Sequence, residues 1–234
     1  MGKLIVISGL PASGKSTLIK NLKEKYNIIT VPEHNEWVKG KFPKVPENIE
    51  EKIEKQRFFL NLDIARYNWA MEHIDKADII ISDTDFTSPL AHNYAERWLL
   101  PDFNIYNWMV DEYIHQLEMK NLGLADYYIY LDVSFEERLK HREEDFQRTG
   151  RKRNDMFFTL PFPQNMRRFH YIMINDQSPR KCLPSVWYEN NKTVDEAAAD
   201  LWNIIRKTPI TQNPKEILEK FSISLKDTIN DEQQ

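Results

Sequence analysis

Nine residues near the N-terminus have the types and spacing of a phosphate-binding loop. Gly9-Leu10-Pro11-Ala12-Ser13-Gly14-Lys15-Ser16-Thr17 fits the pattern G-x-x-x-x-G-K-[ST] in full, with a β-branched run, Lys3 to Ser8, before it and a helix-forming stretch after it. Glycines at these places let backbone N–H groups turn inward around a phosphate, and the N-terminus of the following helix adds partial positive charge. Lys15 has the reach for β- and γ-phosphate oxygens, and the Ser16 hydroxyl suits Mg²⁺. Gly9, Pro11, Ala12, Ser13, Gly14, Lys15, Ser16 and Thr17 are therefore expected to hold ATP with Mg²⁺.

Further acids and amides stand where such a loop needs company. Asp83 ends the apolar run Ala77 to Ser82, the Walker B arrangement that holds Mg²⁺ beside Ser16. Glu33, in Val31-Pro32-Glu33-His34-Asn35-Glu36-Trp37, closes a second apolar run, within reach of a hydroxyl aimed at a γ-phosphate; Glu36 is its neighbour and competitor. Gln56 falls on an apolar helical stripe in register with Ile53 and Leu60. A buried amide there must find partners or cost about 1–3 kcal/mol, and either a nucleobase edge or a core carbonyl would satisfy it. Phe59 and Arg66 share a neighbouring face of that helix, where Phe59 alone reads as plain core. Arg138, Arg142, Arg148, Arg151 and Arg153 fall within sixteen residues. They read as a lid that neutralises a transferring phosphoryl group, or as a solvated face paired with Glu143, Glu144 and Asp145.

The elements that must position these residues follow from the pattern. Runs at 3–8, 27–32, 78–82, 127–131 and 185–188 are apolar without polar alternation, as in strands buried on both faces. Helical stretches between them predict a three-layer α/β architecture of the P-loop NTPase kind, a five-stranded mostly parallel sheet flanked by helices. Helices are expected over Ser16–Lys25, from near Pro46 to Ile74, and over 88–99, 103–121, 134–147, 165–175 and Thr193–Lys207, the last with a Thr193/Glu196 capping box. This predicts one domain over 1–208 with a lid at about 138–154. Beyond it lies a polar extension, 209–234, with a short helix at Pro214–Phe221 and a frayed tail from Lys226.

Composition removes several classes. A net charge of −4 offers no field for non-specific nucleic-acid binding. One cysteine, Cys182, excludes an intramolecular disulfide and a cysteine-rich zinc site, and the histidines show no metal spacing. With no leader-like or membrane-length apolar stretch, the chain is expected to be cytoplasmic and free of membranes. The aromatics between Trp98 and Tyr113 read as core or as the face of a homodimer. Asn191-Lys192-Thr193-Val194 misses the Asn-Lys-x-Asp of a GTPase, since Asp195 is one position too far. An AAA or RecA-type ATPase would be larger or oligomeric, with a sensor arginine that is not evident.

The order of P-loop, Pro32-Glu33 with Trp37, Gln56 to Arg66, Asp83 and an arginine-rich lid resembles the deoxynucleoside kinase and thymidylate kinase branch of P-loop kinases, over most of residues 3–207. The resemblance implies that Glu33 is the general base and that Gln56 pairs with a base, with Phe59 and Arg66 supplying the stacking ring and the cation and Trp37 beside the acceptor. The sequence departs at Asp83-Thr84-Asp85-Phe86-Thr87-Ser88, where such kinases carry Glu-Arg-Ser or Asp-Arg. Asp85 in that place points to an acceptor with an amine or several hydroxyls. The expectation is an ATP- and Mg²⁺-dependent kinase of a small-molecule hydroxyl, with a nucleoside as the leading acceptor. An antibiotic or other metabolite kinase, a nucleoside monophosphate kinase and a nucleotide-dependent switch are the alternatives.

Overall fold

The apolar runs form five strands, β1 Lys3–Ser8, β2 Ile29–Thr30, β3 Ile79–Asp83, β4 Tyr127–Asp132 and β5 Ser185–Glu189. In this computed structural model, which describes residues 2–150, 155–210 and 213–231, they pair in the order β2-β3-β1-β4-β5. Every pairing is parallel. The helices are α1 Lys15–Lys25, α2 His34–Val38, α3 Ile49–His73, α4 Thr87–Glu96, α5 Tyr106–Glu118, α6 Phe135–Thr149, α7 Phe162–Ile174, α8 Val194–Lys207 and α9 Pro214–Asp227.

Alternation along each strand sends successive side chains to opposite faces and so divides the core into two. Ile5, Ile7, Ile79, Ile81, Ile129 and Leu131 pack under α1 and α8, against Leu18, Leu22, Ala198 and Leu201. Leu4, Val6, Ile80, Tyr128 and Tyr130 pack on the other side, against α4, α5, α7 and α9. The result is a three-layer sandwich. The aromatics Tyr106 and Tyr113 are fully enclosed in the Leu4/Tyr128 cluster, whereas Trp98 and Trp108 are only partly buried against it.

Two features of the sheet place the site. Ile7 of β1 pairs with Asp83 of β3, so the loop after β1 and the acid ending β3 leave the same edge side by side. Such an edge, where strand order reverses, is where parallel α/β sheets bind ligands. The third element at that edge is the turn from β2 into α2. It is fixed by Val31 N donating to Ile81 O at 2.9 Å and by Arg66 Nε donating to Pro32 O at 3.1 Å.

The C-terminal region differs from its reading as a short helix with a frayed tail. Helix α9 runs to Asp227, with Phe221, Leu225 and Thr228 fully buried. Arg97 Nη1 donates to Thr228 O at 2.8 Å, and Asp231 pairs with Arg180 at 2.9 Å. Polar composition hid the full length of this helix because its apolar residues, Ile217, Phe221 and Leu225, form one narrow stripe. No helix among the described residues is long and apolar enough to cross a membrane.

Candidate active site

The phosphate loop has the backbone its glycines permit. Gly9 has φ +150°, and a Cβ there would lie 2.7 Å from Leu131 O, so a side chain has no room. Gly14 at φ +87° turns the chain into α1. Ala12 takes φ +64°, a strained value for a residue with a Cβ, of the kind that marks functional loops. The strain is held from α6. Arg138 Nε donates to Pro11 O at 3.0 Å, and His141 Nδ1 lies 2.9 Å from Ala12 O. Lys15 Nζ donates to Gly9 O at 2.9 Å and Leu10 O at 3.3 Å, poised over the loop. Ser13 Oγ is buried with no partner, while Thr17 is exposed on the first turn of α1. Ser16 Oγ donates to Asp83 Oδ2 at 2.9 Å, which brings together the hydroxyl and the carboxylate expected to share a metal.

A cleft of about 390 Å³ opens from this loop and runs along α3. Gly9, Pro11 and Lys15 of the loop line it together with His34, Thr84, His92 and Asn93, and with Lys55, Gln56, Phe59 and Asp63 of α3. Asp63 and Gln56 lie seven residues apart on one helix face, about 10 Å along the axis, a span suited to a nucleoside-sized molecule. Gln56 Oε1 and Asn93 Oδ1 are both buried without a hydrogen-bond partner. Asn93 is held by its own amide, Nδ2 donating to Pro89 O at 3.0 Å, so its oxygen is left over. Gln56 and Asn93 thus line one cleft, and each carries a carbonyl oxygen that no protein donor satisfies. Burial lowers the pKa of His92 and so favours its neutral form.

Several residues singled out in the sequence are placed elsewhere. Glu33 is exposed and caps α2, its own N–H donating to Glu36 Oε1 at 2.8 Å, and it is not among the residues lining the cleft. The turn after β2 carries the Glu33 carboxylate outward and His34 inward. Trp37 is half-buried off the cleft, with its Nε1 unpartnered. Arg66 is buried and fastens the ends of β2 and β3. Its Nη2 donates to Ser82 Oγ and Asp83 O, both at 3.0 Å, in addition to the Nε bond to Pro32 O. It supports the site from beneath rather than meeting an acceptor.

Asp85 also faces inward. Its Oδ1 accepts from Thr87 N at 3.0 Å and Thr87 Oγ1 at 2.6 Å, and it borders a small pocket of about 30 Å³. Burial pushes its carboxyl up to about 6, with Asp63 adding to the rise and the Thr87 hydrogen bonds opposing it. The folded state therefore holds this proton more tightly than the unfolded chain, whose value is 3.8. The stabilisation is complete below that value and is lost as pH rises through about 6. Asp85→Asn, which keeps the Thr87 bonds, is expected to raise stability at pH 7 and to leave it little changed at pH 3.5. Urea midpoints at the two pH values measure this.

The arginine cluster is dispersed. Arg138 is buried on the phosphate loop and on Phe157 O, at 2.8 Å. Arg142 pairs with Asp155 and lies over the Phe158 ring at 4.6 Å, and Arg148 pairs with Asp145 of its own helix at 3.0 Å, largely in solvent. Arg151 and Arg153 lie outside the described residues. The first part of the expected lid is thus a regular helix, and Arg138 braces the loop. Arg138 and His141 also line a second, polar cleft of about 890 Å³ with Leu10, Arg167, Asn191 and Lys192.

Several lining groups were missed by the sequence reading, Asp63, His34 and Asn93 among them. Asp63 was legible, since it continues the Gln56 face at i+7. His34 and Asn93 gave no signal, because their direction depends on how α2 and α4 sit against α3.

Comparison with known proteins agrees with this architecture. The family described as an AAA domain matches residues 4–102, the part that carries the phosphate loop and Asp83. No curated protein matches the chain. Among solved structures, deoxyadenosine kinase from M. mycoides with bound dATP superposes with a TM-score of 0.61 at 19% identity, over 87% of this chain and 100% of that one. Thymidylate kinase from Candida albicans superposes with a TM-score of 0.55 at 20% identity, over 88% of this chain and 91% of that one. The chain therefore has the P-loop fold of the deoxynucleoside and thymidylate kinases.

Proposed function

We propose that this chain is an ATP- and Mg²⁺-dependent phosphotransferase that acts on a hydroxyl of a nucleoside. The observation that carries the reading is the single cleft in which Gly9 and Lys15 of the phosphate loop share walls with the unpartnered carbonyl oxygens of Gln56 and Asn93. A nucleobase with N–H donors on its edge satisfies both oxygens, Phe59 offers a ring face, and the sugar hydroxyl then lies toward Lys15. The Ser16 and Asp83 pair fits Mg²⁺, which takes few protein ligands and keeps phosphate oxygens and water for the rest. When bound, that ion supplies charge neutralisation on the β- and γ-phosphates. Lys15 adds a positive charge, and the loop amides hold the phosphates in place. In this reading the second cleft, which Leu10 of the loop lines with Arg138 and Lys192, takes the nucleoside half of ATP.

The alternatives have less support. Asp85, the residue that suggested an amine-bearing acceptor, is turned away from the cleft and engaged by Thr87. Among the described residues no arginine lines the cleft, which disfavours an acceptor that already carries a phosphate.

A panel of nucleosides, nucleoside monophosphates and aminoglycosides tests the reading, with ADP release as readout. One nucleoside is expected to stimulate release, whereas a switch protein would show slow loss of ATP that no small molecule changes. With that nucleoside, Gln56→Leu is expected to raise KM by about 10- to 100-fold at nearly constant kcat, since removing one buried hydrogen-bond partner costs about 1–3 kcal/mol. The fold is expected to be as stable or more so, because an unpartnered buried oxygen is removed.

A further inference from the structure

We infer that His34, oriented by Asp63, is the general base that takes the proton from the acceptor hydroxyl. This rests on the phosphotransferase reading above. Two observations carry it independently of the family resemblance.

The first is placement. His34 lines the same cleft as Gly9, Lys15 and Thr84, whereas Glu33 is exposed and capping α2. A chain of contacts runs from the metal-holding pair to His34. Ser16 Oγ meets Asp83 Oδ2 at 2.9 Å, Asp83 O accepts from Arg66 Nη2 at 3.0 Å, and Arg66 Nη1 lies 3.3 Å from His34 Nε2. The imidazole therefore shares one cleft with Lys15, the residue suited to the γ-phosphate.

The second is orientation. His34 Nε2 lies 3.1 Å from Asp63 Oδ1. The other oxygen of Asp63 accepts from Tyr113 OH at 3.2 Å, and Arg66 Nη1 stands 3.9 Å from Oδ1. The carboxylate is almost fully buried and held on three sides. Arg66 Nη1 can only donate, so Nε2 cannot hydrogen-bond to both neighbours; in the tautomer in which Nε2–H donates to Asp63, Nδ1 is left to receive a proton. A histidine with one nitrogen on a buried carboxylate and its ring in a cleft has the arrangement of a base with its orienting acid. In the step itself the hydroxyl proton passes to His34 as the acceptor O–P bond forms. The bond from the γ-phosphorus to the β–γ bridging oxygen breaks, and ADP leaves with that electron pair. Asp63 is a positioning residue.

Four deoxyribonucleosides serve as probe acceptors with ATP and Mg²⁺. His34→Ala is expected to lower kcat by about 10²- to 10⁴-fold with KM nearly unchanged, and added imidazole is expected to restore a measurable part of the rate. Asp63→Asn is expected to lower kcat with KM retained. If His34→Ala does not fold, His34→Gln is used in its place, with the same separation of kcat from KM expected. A His34 variant within about threefold of wild-type kcat overturns the inference alone, as does a loss that imidazole leaves unrestored in a folded His34→Ala enzyme. A wild-type enzyme that gives no ADP with any of the four overturns the functional reading together with it.

Discussion

Lys15→Ala is expected to lower turnover by about 10²- to 10³-fold, the usual effect of removing one donor aimed at charge that develops in a transition state. The lysine sits at the start of α1, and its Nζ meets Gly9 O and Leu10 O, the mouth of the loop. Such a position lets the ammonium swing onto a phosphate over a short distance while the loop backbone stays fixed by Arg138 and His141. The substitution is expected to leave the unfolding midpoint near wild type, because β1 and α1 pack through Ile5, Ile7, Leu18 and Leu22 rather than through Lys15. Steady-state ADP release and thermal unfolding, measured on the same preparation, separate the two effects. Wild-type turnover in Lys15→Ala would contradict the assignment of the loop.

The largest effect on stability is expected at Arg66. Its guanidinium donates to Pro32 O, Ser82 Oγ and Asp83 O and stands beside Asp63, all in the interior. Arg66→Met keeps the stem but leaves three oxygens and a buried carboxylate without this partner. Breaking a buried pair in this way costs about 3–5 kcal/mol. The urea midpoint is expected to fall accordingly, with an unchanged slope if folding stays two-state. Because Arg66 also ties β2 to β3 at the edge where His34 and Asp83 emerge, kcat is expected to fall as well. A substrate-binding arginine would behave differently, raising KM with little change in the midpoint, so the two measurements together decide its role.

These residues show how far the sequence can be read. The phosphate loop, Asp83 and the five parallel strands were legible because each is local: glycine spacing, an acid at the end of an apolar run, and apolar stretches long enough to be buried on both faces. Gln56 stood out because a polar residue on an apolar stripe needs a partner, and in the structure it lines the cleft with its Oε1 unpartnered. Glu33 and His34 were not separable, since adjacent residues at a strand end differ only in which way the next turn carries them. Here Arg66 on Pro32 O sets that direction from a helix more than thirty residues away. Asp85 looked available for the same reason. Only the enclosing elements, with Tyr128 and Asp63 nearby, reveal it as an inward-facing acid. The arginines of α6 illustrate the ordinary fate of charge-rich helices, as Arg148 with Asp145 shows, except that Arg138 was drawn onto the loop carbonyls.

The central claim is that the loop and the cleft form one phosphoryl-transfer site, and following the γ-phosphate itself tests it most directly. With ATP labelled at the γ-phosphorus, Mg²⁺ and a nucleoside panel, the label is expected on the hydroxyl of one nucleoside in amounts equal to the ADP formed, and to disappear from that product in Lys15→Ala. Label released only as inorganic phosphate, at a rate that no nucleoside alters, would contradict the claim.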